Sequence, residues 1–147
     1  MNTSPASDTH LRTNPLPADI VRRFYASLRA GNMVEAGSLL SDGVVLHVPG
    51  RHQLAGDYHG AGGIARFAAA STAAAERSDE LQLIDVLSGE RFVAAYCLVT
   101  GRRIGHAPLQ NHTVHLVRVE SGRIAEIWFH NYDQHAVDEF WGGQRKQ

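Results

Sequence analysis

The chain has 147 residues, 44% hydrophobic and 20% charged, enough for one domain with a buried core and too short for two of ordinary size. Lys and Arg total 14 against 15 Asp and Glu, a net charge of −1, so there is no electrostatic footprint for nucleic acid or an anionic membrane. One cysteine excludes an intrachain disulfide framework and a cysteine-rich zinc site. No apolar run approaches the roughly 18 residues of a membrane span. The polar start MNTSPASDTHLRTNPLP lacks the apolar stretch of a secretory signal, and a cytoplasmic protein is expected.

In chain order, residues 1–16 are rich in Ser, Thr, Asn and Pro and predict a disordered tail. Pro17 suits a first helical turn, and Ile20, Phe24 and Leu28, flanked by Val21 and Tyr25, form the apolar stripe of a half-buried helix that Gly31 ends. Asn32 followed by Glu35 resembles a capping box and starts a second helix through Leu40. Ser41-Asp42-Gly43 reads as a turn. Val44 to Val48 is a strand stopped by Pro49-Gly50, and 51–60 reads as a loop. Ile64, Phe67, Ala68 and Ser71 mark a third helix running to about Glu76. Strands follow at 81–87, 91–100, 111–119 and 123–131, with hairpin turns at Ser88-Gly89-Glu90 and Glu120-Ser121-Gly122. Asp133 to Trp141 predicts a short closing helix, and 143–147 a C-terminal tail. Strands gathered at the end of the chain favour α+β with a mostly antiparallel sheet, one domain over 17–142.

The sequence contains no GxGxxG, P-loop, GxSxG or HExxH. Gly60-Ala61-Gly62-Gly63 before a helix reads as a flexible helix entry rather than an anion cradle, and Cys97 in VAAYCLV as a buried small hydrophobe. His112 and His115 lie three apart on a strand, so they face opposite ways and do not share a metal ion. No metal or other cofactor is expected.

Two of the nine histidines stand in strands of aliphatic residues: His47 among Val44–Val48, and His115 in Thr113-Val114-His115-Leu116-Val117. An unpaired imidazole buried there costs a few kcal/mol, so each ring requires a partner or a polar pocket. Two facing imidazoles would divide into a base and an acid near pH 7. Placing Arg118 outside puts His115 and Asn111 inside. In the last strand Ala125, Ile127 and Phe129 form the more apolar face and turn inward, leaving Glu126, Trp128 and His130 on the other. Tyr25 is a core aromatic or a hydrogen-bond donor to a substrate oxygen. Asp133 is a helix N-cap or a carboxylate that orients a histidine. Arg51, His52, Tyr58 and His59 read as rim residues of a pocket.

The runs His47-Val48-Pro49-Gly50, Leu54-Ala55-Gly56-Asp57-Tyr58-His59-Gly60 and Gly122-Arg123-Ile124-Ala125-Glu126-Ile127-Trp128, with Asp133-Gln134 and Asp138-Glu139-Phe140-Trp141, resemble the SnoaL-like group of the nuclear transport factor 2-like superfamily. The resemblance covers about residues 17–142. It implies a cone-shaped, curved sheet wrapped around N-terminal helices, a deep pocket, and commonly a homodimer built on the sheet. Ketosteroid isomerases of this superfamily use a tyrosine on helix one and two strand aspartates. The resemblance sets Tyr25, His47 and His115 at or near those places, so neither carboxylate is kept, which argues against steroid isomerisation itself. Polyketide cyclases carry a pocket acid/base aspartate, for which Asp133 is the nearest match.

The expectation is a cofactor-independent acid/base enzyme of isomerase, cyclase or dehydratase (lyase) type. It would act through an enol(ate) on a small, largely apolar molecule bearing a carbonyl or hydroxyl. His47 would be the base, His115 the acid or oxyanion partner, Tyr25 an oxyanion donor and Asp133 the orienting carboxylate. Asn111, Phe129, His130, Trp128, Tyr58 and Arg51 would contact substrate. The alternatives are a non-catalytic ligand-binding or dimerisation module, and epoxide hydrolase-like water addition. The partners expected are a small molecule and a second copy of the chain, with no nucleic acid and no membrane.

Overall fold

The computed structural model describes residues 15–142. All but the last two residues of the expected N-terminal tail, and the whole of the C-terminal tail, lie outside them. Among the described residues there are four helices, α1 (Pro17–Arg29), α2 (Met33–Ser38), α3 (Gly60–Ala74) and α4 (Gln134–Trp141). The same residues form six strands, β1 (Leu40–Val48), β2 (Gly56–His59), β3 (Glu80–Ser88), β4 (Phe92–Gly101), β5 (Leu109–Glu120) and β6 (Arg123–Asn131). They form one sheet in the order β2-β1-β6-β5-β4-β3. It is mixed and not closed: β2 and β3 are its edges, β1 and β6 run parallel, and every other neighbouring pair is antiparallel. No helix among the described residues is long and apolar enough to cross a membrane.

Local chemistry explains most of these elements. Pro17 occupies the first turn of α1 and Asp19 sits at its positive end, while Ile20, Val21, Phe24 and Tyr25 are buried along one stripe. Asn32 caps α2 by accepting the Glu35 amide at 3.1 Å, but the Glu35 carboxylate does not close a capping box. It pairs with Arg23 at 2.7 Å and ties α2 to α1. Ser121 and Gly122 both take positive φ, 52° and 79°, the geometry of a two-residue hairpin between β5 and β6.

Three sequence expectations are corrected. Ser41-Asp42-Gly43 is not a turn between elements. It is an irregularity inside β1, whose register against β6 slips between Leu40 and Val45. The loop 51–60 contains β2, which folds back on β1 and pairs Leu46 with Tyr58 and His47 with Asp57. The helix that follows begins at Gly60 rather than Ile64. Gly63 lets it lie close on β2, since a Cβ there would stand 3.1 Å from the Tyr58 carbonyl carbon.

The main core lies between the helices and one face of the sheet. Val44 and Leu46 of β1, Val93, Ala95 and Cys97 of β4, Val117 of β5 and Ile127 of β6 are buried there against α1. A second cluster around Leu109, Val137, Phe140 and Trp141 seats α4 across one end.

Candidate functional site

The inner face of the sheet and helices α1 and α3 enclose a cavity of about 930 Å³, within the upper range of small-molecule sites. Most of its wall is apolar, supplied by residues such as Phe24, Leu46, Ile64, Phe67, Ile127 and Phe129. Polar groups enter from β5 and β6 because period two sets Asn111, Thr113 and His115 on the inward side of one strand, and Phe129 and Asn131 on that of its neighbour.

At the core of the wall, the Tyr25 hydroxyl lies 2.6 Å from Nδ1 of His115, both residues being buried. Phe129 stacks on the imidazole with ring centroids 3.8 Å apart. Burial, aided by the nearby His130, pushes the His115 pKa down to about 3, so the ring is neutral at ordinary pH. Burial, with a smaller contribution from Cys97, holds the Tyr25 hydroxyl well above its usual range. The pair is therefore a neutral phenol on a neutral imidazole. With Tyr25 donating to Nδ1, the ring proton sits on Nε2, which has no hydrogen-bond partner among the described residues and is left to donate to a guest.

The expectation that His47 shares this cavity is overturned. Leu46 and Val48 line it, so strand alternation sends the side chain between them to the opposite face of the sheet. There His47 Nδ1 meets Asp57 at 2.8 Å, Nε2 meets Glu126 at 2.6 Å, and the ring stacks on Trp128 at 5.5 Å. The hydrogen bond to Glu126 raises its pKa against a smaller desolvation effect, with Asp57 adding to the rise. Arg118 completes the cluster by donating to Glu126 at 3.0 Å. This is a charged group on the outer face, far from a base in a dry pocket.

Asp133 also lies outside the cavity. It is exposed and caps α4, accepting the Ala136 amide at 3.1 Å. Trp128 shares the outer face with His47, and the exposed His130 follows it there by alternation. Arg51 is exposed and engages Asp138 only through its backbone amide. Tyr58 is half-buried, its hydroxyl committed to the Leu54 carbonyl at 2.7 Å and its ring against Phe67, behind the wall rather than in it. Of the ten residues expected at the site, the cavity thus gathers four: Tyr25, His115, Asn111 and Phe129.

Several wall residues carried no decisive sequence signal. His52, read as a rim residue, is buried in the wall. The Leu54 amide donates to its Nδ1 and its Nε2 proton goes to the Pro49 carbonyl, both at 3.1 Å. With both nitrogens committed, it shapes the loop and is unavailable for proton transfer. Asn131 was legible, two residues past Phe129 on the same face. Asp79, ahead of β3, reaches the wall beside Thr72, and burial raises its pKa against a hydrogen bond from Thr72. Among the described residues no group of three or more His, Cys, Asp or Glu side chains is disposed to hold a metal ion.

The family model described as a SnoaL-like domain matches residues 21–127. The chain belongs to the SnoaL-like family. The uncharacterized protein Rv0034 of Mycobacterium tuberculosis is 31% identical to this SnoaL-like chain over 131 residues, 88% of this chain and 98% of that protein. A solved structure of a Xanthomonas campestris protein of unknown function with a cystatin-like fold is 25% identical. It covers 88% of this chain and 100% of its own, with a TM-score of 0.80. A nuclear transport factor 2-like protein from Burkholderia xenovorans is 17% identical over 83% of this chain and 93% of its own, with a TM-score of 0.68. TerC, co-crystallised with polyporic acid, is 14% identical over 83% and 95%, with a TM-score of 0.71. At these last identities the likeness is one of fold alone.

Proposed function

We propose that this protein binds a small, largely apolar molecule bearing a carbonyl or hydroxyl, and polarises that oxygen with the neutral Tyr25–His115 pair. The observation that carries this reading is the 2.6 Å contact of phenol and imidazole, both buried, on the wall of a largely apolar cavity. A donor fixed in such a place needs no reorganisation to meet developing negative charge, and one donor of this kind is worth about 3 kcal/mol of barrier. TerC, which shares the fold and was co-crystallised with polyporic acid, is in keeping with a small-molecule role.

Calorimetric titration with 4-acetylbiphenyl, an apolar ketone, tests the binding step. The wild type binds it, and Tyr25→Phe or His115→Phe weakens binding about five- to tenfold, the worth of one hydrogen bond in a dry site. Absence of binding, or equal binding by all three proteins, would refute the proposal.

One observation favours a catalytic second reading. Asp79 is a carboxylate on the same wall whose proton affinity burial raises, and a base of that kind takes a proton from carbon more readily than a solvated one. Isomerase-, cyclase- or lyase-type turnover through an enol(ate) would then use Asp79 as base and the Tyr25–His115 pair for the oxyanion. Solvent deuterium incorporation into bound ketones, lost in Asp79→Asn, is the expected result; no incorporation in the wild type removes the catalytic reading and leaves binding.

We also propose that a second copy of the chain covers the outer face of the sheet, where Phe92 and Trp128 lie with ring centroids 6.1 Å apart. Sedimentation equilibrium showing a monomer at micromolar concentration would exclude it.

A further inference from the structure

The second polar end of the cavity is Asn111. Its side chain lines the wall and is buried, yet its Oδ1 has no hydrogen-bond partner, the one buried side-chain N or O atom in that position among the described residues. An orphaned buried acceptor of this kind is destabilising unless something fills it.

The orientation of that carboxamide is set from outside the cavity. Gln134 Nε2 donates to Asp138 Oδ1 at 2.9 Å and to the Pro49 carbonyl at 3.4 Å. Neither an ionised carboxylate nor a carbonyl can donate, so the NH₂ group of Gln134 must face them. Its Oε1 then accepts from Asn131 Nδ2 at 2.9 Å, and Asn131 Oδ1 accepts from Asn111 Nδ2 at 2.9 Å. Turning Asn111 over by itself would set its Oδ1 against that of Asn131, and turning Asn131 or Gln134 over would oppose like groups on both sides. Burial works to raise the Asp138 pKa, but hydrogen bonds from Gln134 and the Arg51 amide, with the nearby Arg51 charge, bring it below its usual value, so the anchor stays ionised. The row thus leaves Oδ1 as the one side-chain polar atom of Asn111 with no partner, and that atom is an acceptor.

Asn111 and His115 face the same way, four residues apart on β5, so their Cα atoms stand about 13 Å apart at the usual strand rise. Between them, the hydroxyl proton of Thr113 is committed to the His130 carbonyl at 3.2 Å.

Building on the small-molecule reading of the cavity, we propose that its ligand is an elongated apolar molecule with a hydrogen-bond donor, a hydroxyl or N–H, at the end that meets Asn111, and its acceptor oxygen at the Tyr25–His115 end. Gln134 and Asp138 act as positioning residues that hold Asn111 in its accepting orientation and so select donors over acceptors at that end.

The test compares 4-acetylbiphenyl with 4-acetyl-4′-hydroxybiphenyl and its 4′-methoxy ether by calorimetry. The wild type prefers the hydroxyl compound to the unsubstituted ketone by about tenfold and binds the ether no better than the ketone. Asn111→Leu abolishes the preference, the hydroxyl compound then binding no better than the unsubstituted ketone. Gln134→Leu, a change on α4 beyond the wall, frees the row to turn over and brings the ether level with the hydroxyl compound. If all three ligands bind the wild type equally, the acceptor is filled by an internal water and the inference is overturned while the cavity reading stands. If none binds, both fall. The wild-type comparison decides the matter even if a variant fails to fold.

Discussion

Lowering the pH from 7 to 5 should destabilise the wild type by about 2 kcal/mol more than it destabilises His115→Gln. The magnitude follows from one ring. Folded, His115 is buried and its pKa is pushed down to about 3; unfolded, it returns to about 6.5. Below pH 6.5 the unfolded chain therefore takes up a proton that the folded chain refuses, and each further pH unit removes about 1.4 kcal/mol of stability until the folded pKa is reached. Above pH 6.5 the contribution is complete and flat. Burial of the ring removes the need for a screening correction, and Gln at 115 retains an acceptor for the Tyr25 hydroxyl. His52, whose pKa burial also lowers, and the carboxylates titrate alike in both proteins and cancel in the difference. Urea unfolding at pH 7, 6 and 5 supplies the stabilities, and the His115 ring resonances followed over the same range should not titrate. Equal losses in the two proteins, or a His115 midpoint near 6.5, would show that the ring is hydrated and that the dry Tyr25–His115 pair does not exist.

His47 should behave in the opposite sense. Its pKa is raised by Glu126 and Asp57, so its contribution is present at low pH and is lost as pH rises from about 6.5 through the folded value; NMR titration should place its midpoint above 6.5 in the wild type and lower in Glu126→Gln. Asp133→Ala should cost about 1 kcal/mol in urea unfolding, as for the loss of a helix N-cap, with 4-acetylbiphenyl affinity unchanged; a loss of binding at equal stability would return Asp133 to the site. Gly50→Ala should cost about 1–3 kcal/mol, because Gly50 has φ +117° and a Cβ there would collide with Asp138 and Gln134. Gly43→Ala, at a position with ordinary φ and nothing within 4 Å, serves as the near-neutral comparison in the same thermal melts.

What was legible from residues alone was local. The spacing of Ile20, Phe24 and Leu28 defines the buried face of α1 because a helix repeats every 3.6 residues whatever packs on it. The turns at 88–90 and 120–122 define two hairpins through short-range backbone chemistry. Arg118, a charge that stays near water, was enough to orient β5, and the irregularity in its pairing with β6 falls between Arg118 and Val119, past His115, so Asn111 and His115 kept their inward parity. In β1 the same logic had no purchase. Val44, Leu46 and Val48 alternate with Val45 and His47, aliphatic on both faces, and only the parallel pairing with β6 determines which set meets the core. Asp57, which helps hold His47 outside, reaches it through β2, a four-residue strand that exists by virtue of pairing with β1. The amide row from Asn111 to Asp138 joins β5, β6 and α4, residues up to 27 positions apart whose donors and acceptors meet only after the sheet has formed and α4 has closed over its end. Periodicity and turn chemistry act within a few residues and are written in the chain; the face a symmetric strand presents, and the partner a buried polar group finds, depend on contacts between distant segments that only the assembled tertiary structure creates.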